Sequence, residues 1–202
     1  MRPPLKDLRP PFVPAMPAVL AVLFAVCVGA AGCSPTYNWR EVGFADAGLA
    51  GLLPCKPDRA EKPVALSNAG NVTLEMMGCV AGGATFTLSH IHLGPETETG
   101  NALDPLVQWQ SATAARLKVP LSGAEAFAPP GAAVLPGSVK FTFNAPGPDG
   151  KPLAIQIASF MRAVGAGRSG FDLFQAAIHG GSDGAKIDPE AADNFFSSLR
   201  LR

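Results

Sequence analysis

Twenty-two glycines and 20 prolines are spread along the 202 residues, about a fifth of the chain where ordinary usage gives roughly 12%. Helix interiors tolerate neither residue well, so short strands joined by many turns are the expected building blocks. Apolar residues make up 48% of the chain and charged residues only 16%, which excludes a disordered solvating protein and leaves enough apolar surface for a core. Alternating or apolar segments at 39–44, 49–53, 63–66, 71–80 and 84–93 read as strands, the last two joined across Ala81-Gly82-Gly83. Pro54-Cys55-Lys56-Pro57 and residues 67–71 read as turns. Further strands are expected at 139–144, 153–164 and 171–179, the first two hinged on Pro148-Asp149-Gly150. Two helices announce themselves by an Asp-Pro start. Asp104-Pro105 leads Leu106, Val107, Trp109, Ala114 and Leu117 to a basic end at Lys118, and Asp188-Pro189 leads Ala191, Ala192, Phe195, Phe196 and Leu199. The expected fold class is α+β, a mostly antiparallel sheet flanked by two helices, in a single domain over 39–202.

The first 38 residues read differently. Arg2, Lys6 and Arg9 stand against a single Asp7, and no charge follows from Pro10 to Asn38, with an apolar run over 18–31. This is the layout of an export signal. The run ends in Ala30-Ala31-Gly32-Cys33, which resembles the bacterial lipobox, with Ala30 where that motif usually has leucine. The resemblance implies a signal peptide over 1–32, acylation of Cys33 as the mature N-terminus, and a short lipid-anchored tether over 33–38. Ser34 after the cysteine resembles the pattern released to the outer membrane, facing the periplasm. An ordinary cleaved signal, or an uncleaved anchor over 12–32, are the competing readings. No twin arginine is present, so export is expected through the general secretory route.

Removal of 1–32 leaves 170 residues with thirteen basic and fifteen acidic side chains. With no basic run and no net positive charge, nothing in the chain is suited to neutralise phosphates, and nucleic acid is not an expected partner. Of four cysteines, Cys27 lies in the signal and Cys33 takes the lipid, so Cys55 and Cys79 are expected to pair in an oxidising compartment. Their spacing fits neither a C-x-x-C redox pair nor a zinc ribbon.

An early Leu52-Leu53-Pro54-Cys55-Lys56-Pro57 turn, a Gly-Gly meander, a middle helix, a hairpin, the strand Phe171-Asp-Leu-Phe-Gln-Ala-Ala-Ile178 and the ending Asn194-Phe-Phe-Ser-Ser-Leu-Arg-Leu201 together resemble the Mog1/PsbP-like sandwich. The resemblance spans residues 43–201. It implies a non-catalytic binding or assembly module in the cell envelope, with an unknown envelope protein as partner and no catalytic residues or cofactor to carry over.

Several residue sets carry suggestive chemistry. His90 and His92, two apart in a strand, share a face and are the candidates for a metal-binding alternative, with His179 a conceivable third ligand. Two histidines near a strand end are more often partly exposed polar residues. Gly165-Ala-Gly-Arg-Ser-Gly170 matches G-x-G-x-x-G but lacks the helix and parallel strand a dinucleotide needs, so a glycine-rich hairpin turn is expected. His179-Gly-Gly-Ser182-Asp183 is the composition of a loop rather than a hydrolase site, although a hydrolase remains a lesser alternative. Arg168 and Asp172 read as a surface pair, and Tyr37 and Trp39 as either headgroup contacts or core. The loops 94–101, with Glu96 and Glu98, and 180–186 are expected at the end opposite the tether, where Glu96 and Glu98 would meet a partner.

Overall fold

Register and alternation explain most of the architecture in a computed structural model, which describes residues 35–66, 70–94, 103–147, 150–164, 169–181 and 186–202, the side chains of Leu103 and Asp104 apart. The strands are β1 (Arg40–Phe44), β2 (Leu49–Leu53), β3 (Asp58–Leu66), β4 (Gly70–Ala81), β5 (Ala84–Leu93), β6 (Glu125–Ala126), β7 (Val139–Pro146), β8 (Pro152–Ala163), β9 (Phe171–His179) and β10 (Arg200–Leu201). The helices are α1 (Leu103–Leu117) and α2 (Pro189–Ser197). The α+β expectation holds: every strand pairing among the described residues is antiparallel.

The large sheet has the order β3-β4-β5-β9-β8-β7-β6, and the small one β1-β2-β10. The chain meanders from one edge to β5 at the centre, runs through α1 to the far edge at β6, and meanders back until β9 closes against β5. Because side chains alternate along each strand, one face of the large sheet presents Phe86, Leu88, Phe160, Phe174 and Ile178 to the small sheet and α2. The other presents Leu74, Ile91, Met161 and Leu173 to Leu106 and Trp109 of α1, and Ile155, Ile157 and Ala177 to Leu117. Thr36–Arg202 is one compact unit.

One expected strand needs correction, and two strands come in addition. The third strand starts at Asp58 rather than at residue 63, and its first six residues are exposed. It is an edge strand, held by backbone pairing with β4, so its charged sequence Asp58-Arg-Ala-Glu-Lys62 shows no apolar pattern to read. Strands β6 and β10 are two residues long and too short for periodicity. The Asp104 cap lies outside the described side chains, whereas Asp188 does cap α2, its Oδ1 accepting from Glu190 N at 3.0 Å and Ala191 N at 3.5 Å.

Tyr37 and Trp39 are half-buried and pack against the core. Trp39 meets Phe86 edge-on at 6.4 Å and Tyr37 at 5.8 Å. Tyr37 also closes on Gly82 (φ 57°) in the β4–β5 turn, where a Cβ would collide with the phenol. Burial first, then the hydrogen bond and charge of Asp188, raise the Tyr37 phenol above its usual value.

The pairing of Asp58 with Gly78 brings the turn after β2 beside Cys79, and Cys55 and Cys79 are bridged with Cα atoms 5.9 Å apart. The bridge closes a 24-residue separation, worth on the order of 3 kcal/mol by loop entropy. Reduction, or Cys79→Ser, is therefore expected to lower the unfolding free energy from urea titration by that amount, with a lower midpoint and no loss of the folded baseline. An unchanged midpoint under reductant would show that the bridge carries no stability.

Candidate functional site: a buried carboxylate and a groove under the helix

Strand register assembles a polar row across the face that meets the small sheet. Asp172 on β9 lies directly opposite His92 on β5 and Arg162 on β8, and Glu75 on β4 lies opposite His90. Asp172 has no exposed surface. A carboxylate placed there is costly unless donors surround it, and they do. His90 Nε2 stands 3.0 Å and His92 Nδ1 2.9 Å from the same oxygen, Oδ1, while Arg162 Nε stands 3.6 Å from Oδ2. A carboxylate oxygen only accepts, so the ionised form requires both imidazoles to donate through these nitrogens. Arg162 also donates from Nη1 to the main-chain oxygen of Arg202 at 2.6 Å, tying β8 to the residue after β10.

His90 is buried, its ring held between Phe44 and Phe174 at 5.3 Å on each side. Its Nδ1 faces Glu75 at 3.6 Å, beyond hydrogen-bond reach. Glu75 opens on a shallow depression shared with Phe44, Arg59 and Glu61. His92, with a side chain 32% exposed, is the solvent end of the row.

The shared face of His90 and His92 was legible in the sequence, but their partner was not. Asp172, expected at the surface with Arg168, is instead the buried centre, and Arg168 lies outside the described residues. The signal was present: one acid inside the otherwise apolar stretch Phe171-Asp-Leu-Phe174 has to be paired if the strand is central. Arg162 and Glu75 carry no local signal, because only register brings them in. His90 is also a correction, being buried rather than partly exposed.

His179 does not join the row. It pairs with Thr85 at the other end of β5 and faces α1. One ring nitrogen of each imidazole, His90 Nε2 and His92 Nδ1, is taken up by Asp172, and no group of three His, Cys, Asp or Glu among the described residues is arranged to hold a metal ion. The G-x-G-x-x-G segment joins β8 to β9, whose ends pair at Ala163 and Phe171, as expected of a hairpin connection. Gly170 (φ 110°) packs so tightly on the Leu93 carbonyl that no Cβ fits. Cys33, Glu96, Glu98, Ser182 and Asp183 lie outside the described residues.

The second feature is a groove between α1 and the large sheet. Leu74 and Met76, Thr87 and Ser89, Ile157, and Gln175, Ala177 and His179 form its floor by alternation, and Trp109, Thr113, Arg116 and Leu117, spaced as one helical face, form its wall. Lys62 of β3 flanks it on the sheet side. The Gln175 amide reaches Thr113 Oγ1 and Ser159 Oγ only at 3.4 Å, so this floor is loosely bonded.

Two predictions follow from this geometry. Asp172→Ala strands an arginine and two imidazoles and should cost about 3–5 kcal/mol. His90→Ala opens a cavity between two rings at about 2–4 kcal/mol. His92→Ala, at the solvent end, should cost about 1 kcal/mol or less. Denaturant titration of the three variants must return that order. For His179, burial lowers the imidazole below its usual value. The unfolded chain then takes up its proton first, so stability contributed by neutral His179 is present above the unfolded value of about 6.5 and is lost as pH falls through the folded one. Between pH 7.5 and 5 the melting temperature of His179→Gln should fall less than that of the unsubstituted protein; parallel curves would refute the assignment. In comparisons with known proteins, no family model matches the sequence and no curated protein matches it.

Proposed function

We propose that the protein is a lipid-anchored envelope protein, acylated on Cys33 at the periplasmic side of the outer membrane, whose domain is a non-catalytic binding or assembly module for another envelope protein. The observation that carries this reading is Ala30-Ala-Gly-Cys33 behind a basic head and an apolar run, in a chain whose remaining exported cysteines are bridged. A disulfide fits an oxidising compartment. The antiparallel layers with two helices accord with a Mog1/PsbP-like sandwich. The non-catalytic part rests on the polar row: its central carboxylate has no exposed surface, so no substrate reaches it, and its imidazoles are held by that carboxylate.

Packing at Tyr37 gives the domain a polarity relative to such an anchor. Four residue steps separate Cys33 from Tyr37, a reach of about 14 Å at most. Tyr37 sits at the β4–β5 turn, so that end would stand against the membrane. The ten residues of β5 carry the other end about 30 Å away. Leu93 and Gly94 lie at that distal end, and the sequence that follows them carries Glu96 and Glu98. The expectation for 180–186 is corrected: β5 and β9 are antiparallel, so the chain after His179 departs beside Thr85, at the Tyr37 end.

Mass spectrometry of the membrane-extracted N-terminus should find lipid on Cys33, and Cys33→Ser should abolish anchoring. A photo-crosslinker at position 96 should capture an envelope protein, and one at Lys186 should not. Glu96→Lys with Glu98→Lys should reduce capture several-fold at unchanged melting temperature. An unmodified Cys33, or equal capture from both positions, refutes the reading.

A further inference from the structure

The groove under α1 is not needed to explain anchoring, and its lining has a chemical bias. Among the described residues that line it, Lys62 and Arg116 are basic and none is acidic. Alternation produces this sorting. On β3 and β4 the acids Glu61 and Glu75 open on the depression beside Phe44, while Lys62, Leu74 and Met76 line the groove. The two cations stand on different walls, one on the sheet edge and one in the last turn of the helix, and neither has an ion pair among the described residues. Below them the lining turns apolar, with Leu74, Met76, Trp109, Leu117, Ile157 and Ala177. The space available to a ligand is about 340 Å³, at the lower end of the roughly 300–1,000 Å³ common for small-molecule sites.

We propose that this groove binds an alkyl amphiphile with an anionic head, the head between Lys62 and Arg116 and the chain along Trp109 and Leu117. A guanidinium and an ammonium lining one groove suit a carboxylate or phosphate head, the guanidinium through paired N–H donors. The Gln175 amide and the Thr87 hydroxyl, whose contacts are 3.4 Å and 3.5 Å long, offer secondary contacts without having to break a strong bond. An apolar site with a few converging polar groups is the ordinary form of a ligand pocket. The chemistry is shared by a free fatty carboxylate and by an anionic phospholipid of the bilayer. The inference stands whether or not Cys33 is acylated.

The test uses the full chain in phosphatidylcholine vesicles, with a photoreactive fatty carboxylate, its alcohol and amine counterparts of equal chain length, and photoreactive phosphatidylglycerol. Labelled peptides are mapped by mass spectrometry, and groove labelling is expressed relative to total labelling of the protein. Peptides holding Trp109–Leu117 or Leu74–Met76 should take the carboxylate label at least fivefold above the alcohol and amine. Lys62→Glu with Arg116→Glu should remove that preference, and the milder Lys62→Gln with Arg116→Gln should reduce it. Both pairs are exposed, so the melting temperature should stay unchanged. Groove labelling by the free carboxylate identifies a diffusible ligand; labelling by phosphatidylglycerol alone, with the same dependence on Lys62 and Arg116, identifies a membrane lipid. Equal labelling by all head groups, or labelling indifferent to both charge variants, overturns the proposal.

Discussion

One uninterrupted series of ring contacts holds the two sheets and the second helix together. It runs from Tyr37 through Trp39, Phe86, Phe195, Phe196, Phe127, Phe160, Phe174 and His90 to Phe44, each step between 5.0 and 6.4 Å. Aromatic pairs in this range contribute about 0.5–1.5 kcal/mol each beyond area burial. Their geometry matters as much as their sum. The rings come from the chain before β1, from β1, β5, β8, β9 and α2, and from the segment after β6. The small sheet cannot slide over the large one without breaking several contacts at once.

That constraint explains how a charged residue survives at the centre of the sheet. The His90 ring is part of the aromatic series, fixed between Phe44 and Phe174, so the imidazole is aimed at Asp172 before any hydrogen bond forms. His92 and Arg162 arrive by register alone. A preorganised donor set lowers the cost of burying the carboxylate, while loss of the carboxylate leaves the donors uncompensated. The row also locks the pairing of three central strands: shifting β9 by one residue would turn Asp172 toward α1 and Leu173 toward the histidines.

The two faces of the large sheet differ in tightness. The face against the small sheet is closed by rings, with Phe86, Phe160, Phe174 and Phe195 at or near zero exposure. The face against α1 is covered by a single helix, which leaves a groove on the β3–β4–β5 side with a weakly bonded polar floor. Adaptable surface is on the helix side, rigid surface on the other, and binding is expected where fewer contacts must be broken.

Much of this molecule was legible in its residues. Strands β2, β5 and β9 lie where apolar runs bounded by Gly and Pro put them, the Asp188-Pro189 start caps a helix as its chemistry requires, and Cys55 and Cys79 are bridged as expected. These are local matters of propensity, capping and composition, and a sequence states them directly. The first half of the edge strand β3 has no side-chain signature, because backbone hydrogen bonds hold it. The polar row and the groove were beyond local reading for a different reason. Asp172 is 80 residues from His92 and 10 from Arg162 in the chain, and only the antiparallel register of β5, β9 and β8 makes them neighbours. Local sequence determined which residues extend, turn or coil; the tertiary structure alone decided which face each side chain meets, because that depends on partners supplied by distant strands.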